Sequence, residues 1–294
     1  MNGKLFISLV AVMSILLMFS SCSDQQEGTK PPSLTDTTGI SSTGTMRFEG
    51  VMISVPSPIQ VATLIKKQKI KFNETHVNSL QNKAKYLNQT KKAMNIGVYG
   101  ADLAYLANYD LGQINNDYFD AVASLSSELG ILDNVDKKLI TRLSSNLNNL
   151  DSIHTLNASF FNSIDDYLKA NEQPHISSFI LVGGWIESLH ISSMESKTSP
   201  ELRMRLAEQK YSATSILSLI EKLDDPVFNP IKSDISKLCN MLSDLESKYG
   251  YRQPITDHRE KTTYLRSQTS VEMSEDQLNE ISAQIQAVRN IIIE

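Results

Sequence analysis

The chain has 294 residues, of which 40% are hydrophobic and 21% charged, with 28 basic against 33 acidic side chains and a formal net charge of −5. That balance excludes a wholly disordered or low-complexity chain and is ordinary for a globular protein. The charges of both signs are interspersed, so nothing indicates a basic surface for nucleic acid.

The N-terminus opens with a small positive region at Lys4, followed by an apolar run from Leu5 to Phe19 broken only by Ser8 and Ser14. The run is shorter than the ~20 apolar residues of a membrane-spanning helix. It fits the ~7–15-residue core of a secretory signal. Ser20 and Ser21 then lead into Cys22. This order resembles the lipobox of bacterial lipoproteins, although Phe19 stands where leucine is commonest. The resemblance implies that residues 1–21 are removed and that Cys22 becomes a lipid-bearing N-terminus, with palmitate-type chains as the anchor. Each buried acyl methylene contributes ~0.8 kcal/mol, so several chains hold a protein stably. The competing reading is an ordinary cysteine beside a signal cleaved elsewhere.

Residues 22–46 read as the lipidated cysteine and a flexible tether, rich in Ser, Thr, Gly, Pro and Gln and poor in large apolar side chains. Such a stretch cannot bury enough surface to offset the entropy of ordering. As a coil it reaches roughly 25–30 Å. Asp24 and Glu27 loosely resemble an export tag that sends lipoproteins to the cell surface. The expected address is therefore the cell envelope, at the outer membrane, with the leaflet left open. The only other cysteine is Cys239, set among Ile235, Leu238 and Leu242 at helical spacing. It reads as a small buried hydrophobe rather than a reactive thiol.

Residues 47–294 form the expected folded domain, long enough for one large core. Residues 47–55 look β-like through Phe48, Val51, Ile53 and Val55. After Ser57-Pro58, a cap followed by proline at the first helical position, the apolar period is helical almost throughout. One helix carries Ile59, Ala62, Leu64 and Ile65. A second carries Val77, Leu80, Ala84 and Leu87 and runs on into an apolar segment, Ala93 to Ala107. Ile114 to Leu129 follows, stopped by Gly130. Val135 to Leu150 and Ile153 to Leu168 make two further stripes. Pro174 opens an apolar helix from Ile176 to Met194. Ser199-Pro200 opens one long helix to Leu223. Val227 to Tyr249 makes the next, ended by Gly250. Residues 251–273 read as a loop with one short β-hairpin or strand, which could pair with residues 47–55. The last helix starts on a capping box, Ser274 and Gln277, and buries Leu278, Ile281, Ile285, Val288 and Ile292. About nine helices with short connections imply an all-α domain, a multi-helix bundle or α-α array.

Two helices, Ala93–Ala107 and Phe179–Ile191, are apolar on nearly all sides and should be central. Gly97, Gly100, Gly183 and Gly184 each cost about 1 kcal/mol relative to alanine in a helix, which fits close approach of a backbone or a ligand. Each central helix carries one carboxylate: Asp102, flanked by Tyr99 and Tyr105, and Glu187, beside Trp185 and three residues before His190. A buried carboxylate without partners is costly. The six residues Tyr99, Asp102, Tyr105, Trp185, Glu187 and His190 therefore form either a satisfied network tying the helices together or the lining of a ligand pocket. Glu187-x-x-His190, with the looser Asp151-x-x-His154, matches one ligand pair of di-iron bundles. No second full pair can be assigned, so no metal and no cofactor is expected. No zinc, phosphate-loop or serine-nucleophile motif is present.

The lipobox, the segment Asn95 to Leu103, Gly183-Gly184-Trp185-Ile186-Glu187, Pro56-Ser57-Pro58 and the start of the last helix together resemble a family of uncharacterised helical lipoproteins of the Bacteroidota. The resemblance spans most of the chain after the signal. It implies an envelope address and a helical domain, and brings no activity or catalytic residue with it. The leading expectation is a lipid-anchored domain that binds a protein or small-molecule partner and no nucleic acid. The alternatives are an envelope enzyme using Asp102, Glu187 and His190, metal-dependent in one version, and a structural scaffold.

Overall fold

A computed structural model of the protein describes residues 43–48, 51–56, 58–109, 111–147 and 149–294. These belong to one compact unit, Ser41–Glu294. The expected signal, Cys22 and nearly all of the expected tether lie outside the described residues. Two antiparallel strands, β1 (Thr43–Phe48) and β2 (Val51–Pro56), pair from Thr43↔Pro56 to Phe48↔Val51. The tether expected to reach residue 46 thus gives way to strand at Thr43. Residues 47–55 pair within their own hairpin and not with 251–273.

The fold is all-α, with ten helices among the described residues. α1 is Pro58–Lys67, α2 Gln89–Leu106, α3 Gln113–Glu128, α4 Lys137–Ser144 and α5 Leu150–Ala170. α6 is Pro174–Glu195, α7 Pro200–Ala207, α8 Lys210–Lys222, α9 Asn229–Ser243 and α10 Glu275–Ile293. None of them is long and apolar enough to cross a membrane. The pair α2 and α6 is the axis of the bundle, as their all-round apolar character requires. α3 and α1 pack on α2, α5 and α10 pack on α6, and α9 joins α10 to α8.

The glycines explain how α2 and α6 come so close. A Cβ at Gly97 would fall on the backbone carbonyl of Ile180, and one at Gly183 on that of Met94. At Gly100 the obstacle is the Phe161 ring. The close approach expected at these glycines is therefore that of another helix or a packed ring, not of a ligand.

Three helix boundaries differ from the periodic reading. Residues 74–85, expected to be helix, form two short 3-10 turns, Glu74–His76 and Leu80–Lys85, capped by Asn73 and Ser79. α2 begins only after Asn88, whose side chain accepts from Lys91 N at 2.8 Å. Leu87, expected on a buried stripe, is exposed. The single helix expected from Pro200 to Leu223 is split at Gln209, whose side chain accepts from Trp185 Nε1 at 3.1 Å. The helix expected to reach Tyr249 ends at Ser243. Tyr249 instead lies on the strand β3 (Ser247–Gly250), which pairs with β6 (Gln268–Val271), while β4 (Ile255–Asp257) pairs with β5 (Thr262–Tyr264). Together they make one long hairpin, the expected β element of 251–273 begun four residues earlier.

Other boundaries stand where local chemistry put them. Gly130 ends α3 at φ +68°, with Ile131 N–H reaching back to Ser126 O at 2.9 Å. Ser199 caps α7. α10 carries both halves of its capping box, and Leu278, Ile281, Ile285, Val288 and Ile292 are all buried. Cys239 is buried and free, and burial pushes its thiol up to about 12, as an inert hydrophobe requires.

Candidate functional site

The two central carboxyls meet. Asp102 on α2 and Glu187 on α6 lie near enough, deep between the helices, for each to feel the other's charge. Glu187 also receives a bidentate pair from Arg289 on α10, Nε to Oε2 at 2.6 Å and Nη2 to Oε1 at 2.7 Å. The fork geometry is that of an ionised carboxylate and a guanidinium. Glu187 is held by the Arg289 fork, while Asp102 Oδ2 accepts from Asn78 N and Asp102 Oδ1 has no hydrogen-bond partner. Burial raises the Asp102 carboxyl well above its ordinary range, the Glu187 charge raises it further, and Arg289 only partly opposes them. Burial works against the charge on Arg289, but the charge and hydrogen bonds of Glu187 together with the neighbouring Asp102 more than offset it and raise its pKa. A paired cation and anion beside a carboxyl pushed towards its neutral form is an arrangement that a dry interior tolerates.

Around this triad the polar groups are spent on backbone. Asp102 Oδ2 accepts from Asn78 N at 3.1 Å. Tyr118 donates to Asn78 O at 2.7 Å and Tyr99 to Ser79 O at 3.0 Å. These bonds hold the 3-10 segment across α2 and explain why it is not helix: its backbone groups find tertiary partners. Asn78 Nδ2 donates to Tyr86 Oη, and Tyr86 Oη donates to Ile293 O. Asn95 Nδ2 and Lys91 Nζ donate to the Ile292 carbonyl. The final carbonyls of α10, which a helix leaves unpaired, are therefore closed by the start of α2 and by Tyr86 just before it.

The other candidates flank the triad. Tyr105 accepts from Asn73 N at 3.1 Å and stacks near Phe72 and Tyr109. His76 lies 3.3 Å from Glu195 and 3.0 Å from Asn73 Nδ2. Trp185 points away, to Gln209. His190 Nε2 has no hydrogen-bond partner, and burial, then the charge of Arg289 and His76, lowers its pKa to about 3. All six candidates are at most 2% exposed. None lines the open surface recess of about 260 Å³ formed by Lys197, Thr198, Pro200, Arg203, Met204, Ala207, Val271 and Met273. Among the described residues no three His, Cys, Asp or Glu side chains gather as a metal site, and the side chains of Asp151 and His154 lie outside the description.

Arg289 and Asn78, which complete the network, were not among the expected site residues. A signal for Arg289 existed: it follows Val288 and stands four residues after Ile285, on the buried face of α10. Asn78 carried none, because its role is set by its backbone N–H.

The low pKa of His190 has a measurable consequence. In the unfolded chain a histidine binds its proton below ~6.5. In the folded chain His190 stays neutral down to about 3. The unfolded state therefore binds more protons in that window, and stability falls as pH drops from 6.5 towards 3. His190→Gln should flatten this part of the pH–stability curve in denaturant titrations. An unchanged slope in the variant would show that His190 is protonated in the fold.

Compared with known proteins, the chain matches no family model, no curated protein and no solved structure.

Proposed function

We propose that this chain is a lipid-anchored envelope protein whose helical body is a rigid mount and whose work is partner binding through the hairpin between α9 and α10. The observation that carries the reading is the hairpin's exposure. From Ser247 to Ser270 no residue is buried, yet Tyr249, Tyr251, Ile255 and Leu265 are between 52% and 82% exposed. An isolated two-stranded hairpin is marginal in water. Exposed aromatic and aliphatic side chains gathered on one element mark an interaction surface. The anchor belongs to the same reading: Leu5 to Phe19 followed by Ser20-Ser21-Cys22 supports acylation at Cys22.

The central polar residues support the mount rather than the work. Glu187 and Arg289 are committed to each other, Asp102 to the Asn78 backbone N–H, and Tyr99, Tyr105 and Tyr118 to backbone groups. An enzyme using Asp102, Glu187 and His190 would need a path for substrate to side chains that are at most 2% exposed.

A photo-crosslinking side chain placed at Leu265 in cells should give a discrete protein adduct, and the same group at exposed Asp133 on the helical body should not. Acyl labelling should vanish in Cys22→Ser. The binding reading fails if Leu265 captures nothing while the chain is folded and in place.

A further inference from the structure

We propose that the partner of the hairpin is a second copy of this chain, with the two hairpins lying antiparallel so that the tip of each meets the root of the other. The inference rests on the partner-binding reading above and names its partner. The hairpin segment 247–270 carries Lys248, Arg252, Arg259, Lys261 and Arg266 against Asp257 and Glu260, a net of +3 in a chain of net −5. The remainder of the chain is therefore −8. The basic side chains concentrate towards the tip: Arg252, Arg259, Lys261 and Arg266 all lie beyond the β3–β6 ladder, and with Asp257 and Glu260 among them the tip keeps a net charge of +2. The root is flanked by exposed carboxylates: Asp244 and Glu246 where α9 runs into β3, and Glu275, Asp276 and Glu280 on the first turns of α10. Lys197 and Arg203 lie on the flank of α7, at the recess beside Val271. The acidic flank is thus the one formed by the residues that leave α9 and the first turns of α10, with the exposed Lys237 lying further back on α9.

An element that is positive at one end and negative at the other is self-complementary under a two-fold axis. Residue i of one copy meets residue j of its partner, and j meets i, so the contact closes as a dimer instead of growing into a filament. From Ser247 to the turn near Arg259 the arm spans at most roughly 40 Å at ~3.3 Å per residue. That length allows tip and root to be in register at both ends at once. Each large aromatic side chain can bury roughly 150–250 Å². Tyr249, Tyr251, Ile255 and Leu265 from two arms together approach the ~1,000 Å² that a specific interface requires. Lateral contact would also cover strand edges that the hairpin leaves open, the usual hazard of an exposed two-stranded element.

The test uses the full chain purified in detergent, with oligomeric state read by density-matched sedimentation and cross-linking. The wild type should be a dimer at low salt and dissociate as ionic strength rises and the charges are screened. A tip-reversed chain (Arg259→Glu, Lys261→Glu, Arg266→Glu) should be monomeric. So should a root-reversed chain (Asp244→Lys, Glu246→Lys, Glu280→Lys). Mixing the two should restore a one-to-one dimer, because each reversed tip then faces a reversed root and each native tip a native root. Circular dichroism of both variants checks that the helical body is intact. A monomeric wild type at tens of micromolar would overturn the proposal, as would reversed chains that fail to combine. A monomeric Cys22→Ser chain that floats with anionic but not with neutral vesicles would likewise overturn it, in favour of a lipid surface. If the wild type is monomeric but Leu265 still cross-links to another protein, only this inference falls. If Leu265 captures nothing, the partner-binding reading falls with it.

Discussion

Arg289→Met should lower the stability of the folded domain by about 3–5 kcal/mol, among the largest effects of any single substitution in this chain. The size follows from what remains, not from the strength of the lost bonds: Glu187 is 0% exposed and would be left as a buried anion beside Asp102 with no cation. Glu187→Leu should cost a similar amount for the converse reason, since it strands the guanidinium. The double variant Glu187→Leu with Arg289→Met should recover most of the loss, because well-packed apolar side chains often replace a buried ion pair at little or no cost. Chemical denaturation of the four chains gives the cycle. Independent, additive costs in the double variant would show that the two side chains do not depend on each other.

Gly183→Ala should destabilise by about 3 kcal/mol or more. Overpacking ordinarily costs ~1–3 kcal/mol, because side chains can turn aside. Here the added methyl falls on the carbonyl of Met94, part of the backbone of α2, and a helix backbone cannot turn aside. The helices would have to separate along their length, and Asp102 and Glu187 lie near each other across the same seam. Gly184→Ala is the control. Its methyl would sit 3.3 Å from Gly97 O, a contact that a small shift relieves. The gain of ~1 kcal/mol in helix propensity also offsets part of the strain. Denaturant midpoints should therefore separate two adjacent glycines widely. Equal stability of the Gly183 and Gly184 variants would refute the backbone-contact account.

Both predictions concern residues whose importance was only partly visible beforehand. The central helices were legible because Ala93–Ala107 and Phe179–Ile191 lack a polar face, and a helix without one must be surrounded. Their glycines and carboxylates were legible as costs that something had to repay. What repaid them was not. Arg289 lies 102 residues from Glu187 in the chain, and no local pattern links the two. The 3-10 segment was misread as helix because its apolar spacing was helical while its backbone bonds were claimed by Asp102, Tyr99 and Tyr118. The break at Gln209 has the same origin in Trp185.

By itself, the sequence determined the helical class, the position of α6 in the core, the stop at Gly130, the capping box at Ser274 and the buried stripe of α10. These follow from periodicity and from bonds within three or four residues, so they need no knowledge of distant neighbours. Only the tertiary structure decided that the six candidates are sealed in the interior, with Glu187 clasped by Arg289 beside Asp102, and that Tyr249, Tyr251, Ile255, Tyr264 and Leu265 are exposed together on one hairpin. Which donor meets which acceptor depends on helices that are remote in sequence and adjacent in space. A buried charge is tolerated or ruinous according to that meeting alone.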